Sequence, residues 1–456
     1  MVATHDRKYD LVVFGASGFT GAFVVKHIAA TQAALSAQLK RPLRWAVAGR
    51  SRARITPVLK EYDADVPIIE CDVFDAEGLF SLATSAYIVL NCVGPYRYFG
   101  EPVVTACVAA GTNYVDITGE PEFIEKMYLK FNALATETGT TLVPACGFDS
   151  MPCDLGVMYT KAKMLASDMV PVTMDMYLAL STGPAGFVGH YATYESAVQG
   201  FASVGSLRAV RKLVAAVRPR AVPVSPLKAA VHGGVHWNGS LARYTVPFPG
   251  SDASVVRMGQ ECVAVMGAKD ALPAVHFAAY VGIKRWWNVA GLATFATVLG
   301  TLTRWKWGRW ILLKFPRLCS FGMFSHAGPS AKQLAQTSFS ETFVGRGLST
   351  ANNAELHDHA LRAGGDAAEH EAVTQALRGA TKLDSELITK VSGPEPGYVA
   401  TPIFLLAGAV TILLEKDGST IPSGVLTPAS AFFRTSIIQR LKDAGIEFSV
   451  VSKRRL

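Results

Sequence analysis

Three observations predict an α/β protein: an N-terminal doubly wound parallel sheet, followed by a second α+β domain. Short apolar runs alternate with helical stretches over the first 150 residues. A glycine triplet stands at the first strand-to-helix turn. The chain, at 456 residues, is long for one compact domain. Half of it is hydrophobic and only 18% charged, which excludes a disordered or fibrous chain. The seven cysteines form no CxxC pair, so no disulfide framework or structural zinc site is expected. A reducing compartment follows, and without an apolar leader at the N-terminus secretion is not expected.

The first strand is the apolar run Tyr9–Phe14. Gly15, Gly18 and Gly21 follow, with Ser17, Phe19 and Thr20 between them, and then a helix to about Leu39. This GxxGxxG spacing is a variant of the dinucleotide fingerprint of Rossmann domains. Glycine serves there because a side chain would keep a pyrophosphate from the amides at the helix N-terminus. A tight turn without a ligand is the competing reading. Further strands are expected at 44–48, 67–71, 86–93, 113–117 and 141–145.

At the end of the second strand, where an NAD enzyme usually carries an acid for the ribose 2′-OH, stand Arg50, Ser51 and Arg52. A guanidinium suits a 2′-phosphate, so NADP is favoured over NAD. Asp72 is placed near the adenine or as a cap. Val93, Gly94, Pro95 and Tyr96 end the fourth strand, at the edge where the nicotinamide half of a dinucleotide binds. Candidates for a proton donor or positioning group at that edge are Tyr96, Tyr114, Asp116, Asp149 and Ser150; turn and capping roles compete for the last three. Cys92, Cys146 and Cys153 lie close by and are read as small buried hydrophobes. Tyr159 and Lys161 have the wrong spacing for a Tyr-x-x-x-Lys pair, and the scattered histidines of the second half show no metal-ligand spacing.

Taken together, GASGFTG (15–21), AGR (48–50), NCVGPY (91–96), YVDITGE (114–120) and CGFDSMPCDLG (146–156), with GVLTPASAF (424–432) near the C-terminus, resemble the saccharopine dehydrogenase-like oxidoreductases. The resemblance implies a Rossmann domain over 1–153, an α+β substrate or dimerisation domain over 154–395, and a segment 396–456 returning to the first domain. It implies an NADP-dependent oxidoreductase acting on a C=C, C=O or C=N group. The family includes trans-acting enoyl reductases and lipid-droplet-associated members, and the segment 147–154 is similar to that lipid-associated branch. Two alternatives stand beside it: a soluble saccharopine-type imine reductase, which needs arginines converging on the substrate's carboxylates, and a silent lipid-surface protein that keeps the nucleotide fold.

The net charge of +8 is unevenly placed. Residues 196–251 and 271–340 contain no acid and hold fifteen of the 44 Lys and Arg, so the remaining 29 face all 36 acids. Five of the seven tryptophans, Trp286, Trp287, Trp305, Trp307 and Trp310, flank the apolar run 289–302 within the segment 284–324. Tryptophan beside Arg and Lys at the ends of an apolar run is the pattern of an interfacial anchor. Fourteen residues of helix reach roughly 21 Å against about 30 Å of hydrocarbon, so a shallow hairpin with 311–324 as its second arm is expected rather than a span. A buried helix or a homodimer interface is the alternative. The expected partners are a hydrophobic or lipid substrate and the cytoplasmic face of a membrane or lipid droplet. No nucleic-acid-binding module accompanies the basic residues. The apolar run 400–414 is read as a core helix.

Overall fold

A computed structural model describes residues 7–228, 233–268, 270–350 and 354–456. The N-terminal sheet begins with β1 (Tyr9–Phe14), β2 (Trp45–Gly49) and β3 (Ile68–Glu70), continues through β4 (Ala86–Asn91), β5 (Asn113–Asp116) and β6 (Thr141–Val143), and is parallel throughout. The six expected strands are all present, within about two residues of their sequence bounds. α1 (Phe19–Leu39), α2 (Arg52–Glu61), α3 (Ala76–Ser85), α4 (Tyr96–Ala110) and α5 (Pro121–Glu137) connect them. Strand order 6-5-4-1-2-3 reverses between β1 and β4, which opens a crevice at the carboxyl ends of those two strands. Burial of both faces explains the sequence: every residue of β1 and β2 is buried, so these strands read as continuous apolar runs instead of alternating ones.

α6 (Met151–Leu165) leads into the second domain. Its backbone is β7 (Met169–Ser181), flanked later in the chain by β11 (His276–Ile283) and β13 (Ser338–Ser349). Before β11 come β8 (Gly189–His190), α7 (Tyr191–Ala202), α8 (Val204–Val217), β9 (His236–Asn238), β10 (Arg243–Pro247) and α9 (Asp252–Met266). After β11 come α10 (Trp286–Leu302), α11 (Lys306–Lys314), α12 (Pro316–Cys319), β12 (Phe324–Ser325) and α13 (Ala331–Gln336). α14 (Ala354–Ala360), α15 (Ala367–Ala376) and β14 (Ser385–Pro394) follow β13. The tail supplies α16 (Thr401–Glu415), β15 (Gly424–Val425), α17 (Pro428–Phe432), α18 (Ile437–Asp443) and β16 (Glu447–Arg455).

The second sheet is mixed, in the order β16-β14-β13-β7-β11-β10-β9, with β7 and β11 parallel and the other pairs antiparallel. The tail divides between the two sheets. β15 adds a parallel strand beside β6, while β16 pairs with β14. α16 lies against α1, β4 and β5, and its residues Thr401 through Ile412 are all buried. The 20-residue stretch 396–415 is long and apolar enough to cross a membrane, yet most of it is enclosed by protein, as a core helix should be.

α10 behaves in the opposite way. Within this fully described helix only Leu299 is fully buried. With Leu312 of α11 and with Tyr194 and Val198 of α7 it forms a small core separate from the main one. The two arms of the expected hairpin are therefore present, but the second is broken: Phe315 leaves the helix and Pro316 begins a single turn, because proline disfavours helical geometry in the residue before it.

Candidate functional site

The glycine loop is built by close approach. A Cβ on Gly21 would lie 2.1 Å from the Gly15 carbonyl oxygen, so a side chain there would force the turn apart. Gly15 in turn backs onto Val93, whose Cγ2 would be 2.7 Å from an added Cβ, which joins the loops after β1 and β4. Gly18 caps α1, and Ser17 and Gly18 are open to solvent, with Phe19 and Thr20 half-buried behind them. The first-turn amides of a helix have no intrahelical partner, and no acid stands in the first turn of α1 to repel an anion. This cradle fits a pyrophosphate.

Arg50 is exposed and makes no hydrogen bond or ion pair among the described residues, whereas Arg52 donates to the Ile68 carbonyl. Ser51 occupies the N-cap of α2 without using its hydroxyl there. Arg50 and Ser51 are thus free to meet a 2′-phosphate beside the ribose. Asp72 accepts from the Phe74 amide at 3.0 Å, so its carboxylate shapes the turn after β3.

At the ends of β4 and β5 the polar side chains bond to one another. Asn91 Nδ2 donates to the Tyr114 hydroxyl at 3.1 Å, and that hydroxyl donates to Asp116 Oδ2 at 2.7 Å. Asp116 Oδ1 accepts from the amides of Thr118 and Ala145. Asp116 is wholly buried, and burial raises its carboxyl to about 7 against those three stabilising bonds. The Tyr96 hydroxyl donates to the Asn91 carbonyl at 2.7 Å, and Glu120 receives the Tyr96 amide and the Arg97 guanidinium. Ser150 Oγ is 2.7 Å from Ser251 Oγ and has no exposed surface. Of the five candidates, Tyr96, Tyr114, Asp116 and Ser150 are therefore committed to internal bonds. Asp149 alone is exposed as a residue, while its carboxyl lies against Gly119 (an added Cβ would be 2.4 Å from Oδ2), and desolvation there raises it above the ordinary carboxylate value. Val93, Gly94 and Pro95 border the same crevice.

Burial pushes the thiols of Cys146 and Cys153 well up and that of Cys92 to about 12, so none is a thiolate at neutral pH. Tyr159 and Lys163 do have Tyr-x-x-x-Lys spacing, but Tyr159 packs edge-on against Phe448 of β16, at the domain junction.

Several residues of this region are not among the sequence candidates. Asp252 opens α9, and Glu341 sits between Phe339 and Phe343 on the buried face of β13. Each has an oxygen without a hydrogen-bond partner. Burial, joined at Asp252 by repulsion from Glu341, drives both carboxyls far above the ordinary range. The one readable sign was a lone acid on the apolar face of an alternating strand. His190 and Tyr398 contact the glycine loop from the second domain and lie in segments without periodicity.

Two arginines of the acid-poor window 196–251 find counter-charges elsewhere in the chain. Arg218 is buried between Glu125 (2.8 Å) and Glu261 (2.9 Å), and Arg211 also faces Glu125. These arginines are taken up by a network joining α5, α8 and α9. Trp286, Trp287, Trp305, Trp307 and Trp310 are each 46–63% exposed on α10, α11 and the turn between them.

The saccharopine dehydrogenase NADP-binding domain family matches residues 11–143, the span of the first sheet with its glycine cradle and Arg50. A mouse saccharopine dehydrogenase-like oxidoreductase is 39% identical over 99% of both chains. A Caenorhabditis elegans lipid droplet localized protein is 32% identical, covering 98% of this chain and 99% of its own. Among solved structures, apo saccharopine dehydrogenase (L-Glu forming) from Saccharomyces cerevisiae superposes over 97% of this chain and 100% of its own with a TM-score of 0.54, at 12% identity, a likeness of fold. With a phosphate cradle, a free arginine at the ribose edge and full-length relatives of this kind, the chain belongs to the saccharopine dehydrogenase-like oxidoreductase family and is an NADP-binding oxidoreductase.

Proposed function

We propose that this protein reduces a C=C, C=O or C=N group of a hydrophobic, lipid-type substrate at the cytoplasmic face of a membrane or lipid droplet. The observation that carries this reading is the exposed apolar hairpin of α10 and α11, which belongs to the part of the second domain bordering the cofactor crevice. An apolar helix left uncovered in a folded protein marks an interaction site. Its chemistry suits an anionic lipid surface. Arg285 lies over the Trp287 ring at 5.3 Å and Lys314 over Trp310 at 4.5 Å, which sets cations at the depth of the indoles. No acid occurs from 271 to 340 to oppose a phosphate layer. The nematode relative, a lipid droplet localized protein, agrees with a droplet surface.

NADPH, when bound, supplies the hydride. The chain supplies the cradle for the pyrophosphate, Arg50 and Ser51 for the 2′-phosphate, and at the other end of the crevice Asp149, an exposed residue whose carboxyl desolvation holds above the ordinary carboxylate value. Phe148, the residue before it and half-buried on Phe339 at 4.8 Å, offers an apolar neighbour. The imine-reductase alternative needs an arginine cluster converging on the nicotinamide; Arg211 and Arg218 are instead held by Glu125 and Glu261, while Arg208 and Arg220 are exposed.

Flotation with phospholipid-coated droplets tests the surface. Replacing Trp286, Trp287, Trp305 and Trp307 by Ala removes four exposed anchors and should lower the bound fraction at least tenfold with the fold intact, because the indoles contribute little to the core. Equal flotation of the two proteins refutes the reading. Calorimetry tests the cofactor edge: Arg50→Ala should weaken NADPH by about tenfold or more and leave NADH unchanged.

A further inference from the structure

The part of the second domain that carries the exposed tryptophans stands on the cofactor loop itself. Phe19, the residue after the cap of α1, has its ring stacked on the His190 imidazole with centroids 4.3 Å apart and planes at 9°. Tyr398 meets Phe19 edge-on at 4.8 Å, and its hydroxyl accepts the His190 amide at 2.7 Å. Gly328 closes the other side: at φ +68° it adopts a conformation that side chains avoid, and an added Cβ would lie 2.4 Å from Phe19 Cζ. His190 and Gly328 root the hairpin module. β8 ends at His190, whose Nδ1 accepts the Ala192 amide and so caps α7, and β8 pairs with β12 at the far end of α10 to α12. α7 packs directly on both α10 and α11.

The module has a second foot across the crevice. Arg97, on the first turn of α4 and held by Glu120, donates to the Gln199 carbonyl at 2.9 Å and to Ser203 Oγ at 2.6 Å, at the far end of α7. One helix, α7, thus meets the glycine loop at one end and the helix after β4 at the other, and the exposed hairpin packs on it.

Resting on the surface reading above, we propose that this module is a roof whose engagement with an anionic lipid surface and whose closure over NADPH are reciprocally coupled through the Phe19–His190 stack. A cofactor seated against the first turn of α1 fixes the position of Phe19. Phe19 fixes His190 and with it α7 and the hairpin. A module already ordered in this way loses less conformational entropy when it settles on a lipid surface, so the coupling is positive. Linkage requires the effect to be equal in both directions.

The test measures NADPH affinity with and without vesicles of phosphatidylcholine containing about one-third phosphatidylserine, and vesicle partition with and without NADPH. In the wild-type protein both constants should tighten by one common factor, about fivefold or more. His190→Asn keeps an acceptor to cap α7 but removes the ring, and should bind each ligand alone while the common factor falls to one. His190→Phe keeps the stack and should retain the factor. Independent binding of vesicles and NADPH by the wild type overturns the coupling and leaves the surface reading intact, as does a factor that survives in His190→Asn. Failure of the wild type to bind vesicles at all overturns both.

Discussion

Two helices of this protein have almost the same composition and opposite fates. α16 has 15 residues and α10 has 17, and neither carries a charge until the glutamate that ends α16. α16 is sunk between the two domains, against α1, β4 and β5. α10 rests on α7 along one narrow stripe and shows the remainder of its surface to solvent. Apolar content therefore does not decide burial in this chain; the flanks do. α16 is entered through Gly393-Pro-Glu-Pro-Gly397 without a cation or a tryptophan and is led off by strands that return it to both sheets. α10 is bracketed by Lys284-Arg285-Trp286-Trp287 and by Arg304-Trp305-Lys306-Trp307, side chains with one apolar and one polar end that settle at a boundary.

The sharpest way to break this comparison is to place the same charge on each helix. Ala409 of α16 has no exposed surface, and Ala409→Glu buries a carboxylate without a partner. The cost is several kcal/mol, enough to prevent folding, and the expected readout is insoluble protein or loss of the thermal transition. Ala293 of α10 is exposed, and Ala293→Glu should shift stability by less than about 0.5 kcal/mol. It should nevertheless weaken binding to anionic vesicles by roughly fivefold, the effect of about 1 kcal/mol per charge at such a surface. Comparable destabilisation by both substitutions would mean that α10 is covered by protein in solution.

The same contrast marks how far the sequence alone can be read. The first sheet was legible because each strand is short, apolar and followed by its own helix, so local signals agree with the final packing. The glycine cradle and Arg50 were legible because they lie at a fixed distance from strand ends. The exposed hairpin was visible in its tryptophans and in the missing acids. What could not be read were partnerships set by the folded geometry, some of them between near neighbours and some across the chain. Tyr96, Asp116 and Ser150 stand where catalytic groups stand, but the folded chain satisfies them with Asn91, Tyr114 and Ser251, two of which lie on other elements. Arg218 reads as surface charge until α5 brings Glu125 to it. His190, which joins the second domain to the cofactor loop, has no neighbour in sequence that betrays the contact.

The smallest expected effect is also the one that reports on the quality of the seal made by α16. That helix lies over β4 and β5 and helps to keep water from the Asn91–Tyr114–Asp116 string, which is why the Asp116 carboxyl rises from the ordinary 3.8 to about 7 in the folded protein. Because the folded pKa is the higher one, the folded state holds a proton that the unfolded chain has released between those two values. Stability contributed by this group is complete below the unfolded value and is lost as pH rises through the folded one. Asp116→Asn cannot titrate, yet its amide can still accept from Thr118 and Ala145 through its oxygen, so the fold should survive with a loss of about 1 kcal/mol. Melting temperatures of both proteins measured from pH 4 to pH 8 should then cross as pH rises, the wild type losing its advantage of about 1 kcal/mol near the acid end of that window and falling below the variant towards pH 7. A difference that stays flat with pH would show that Asp116 is ionised in the folded protein, and therefore that water reaches the ends of β4 and β5 beneath α16.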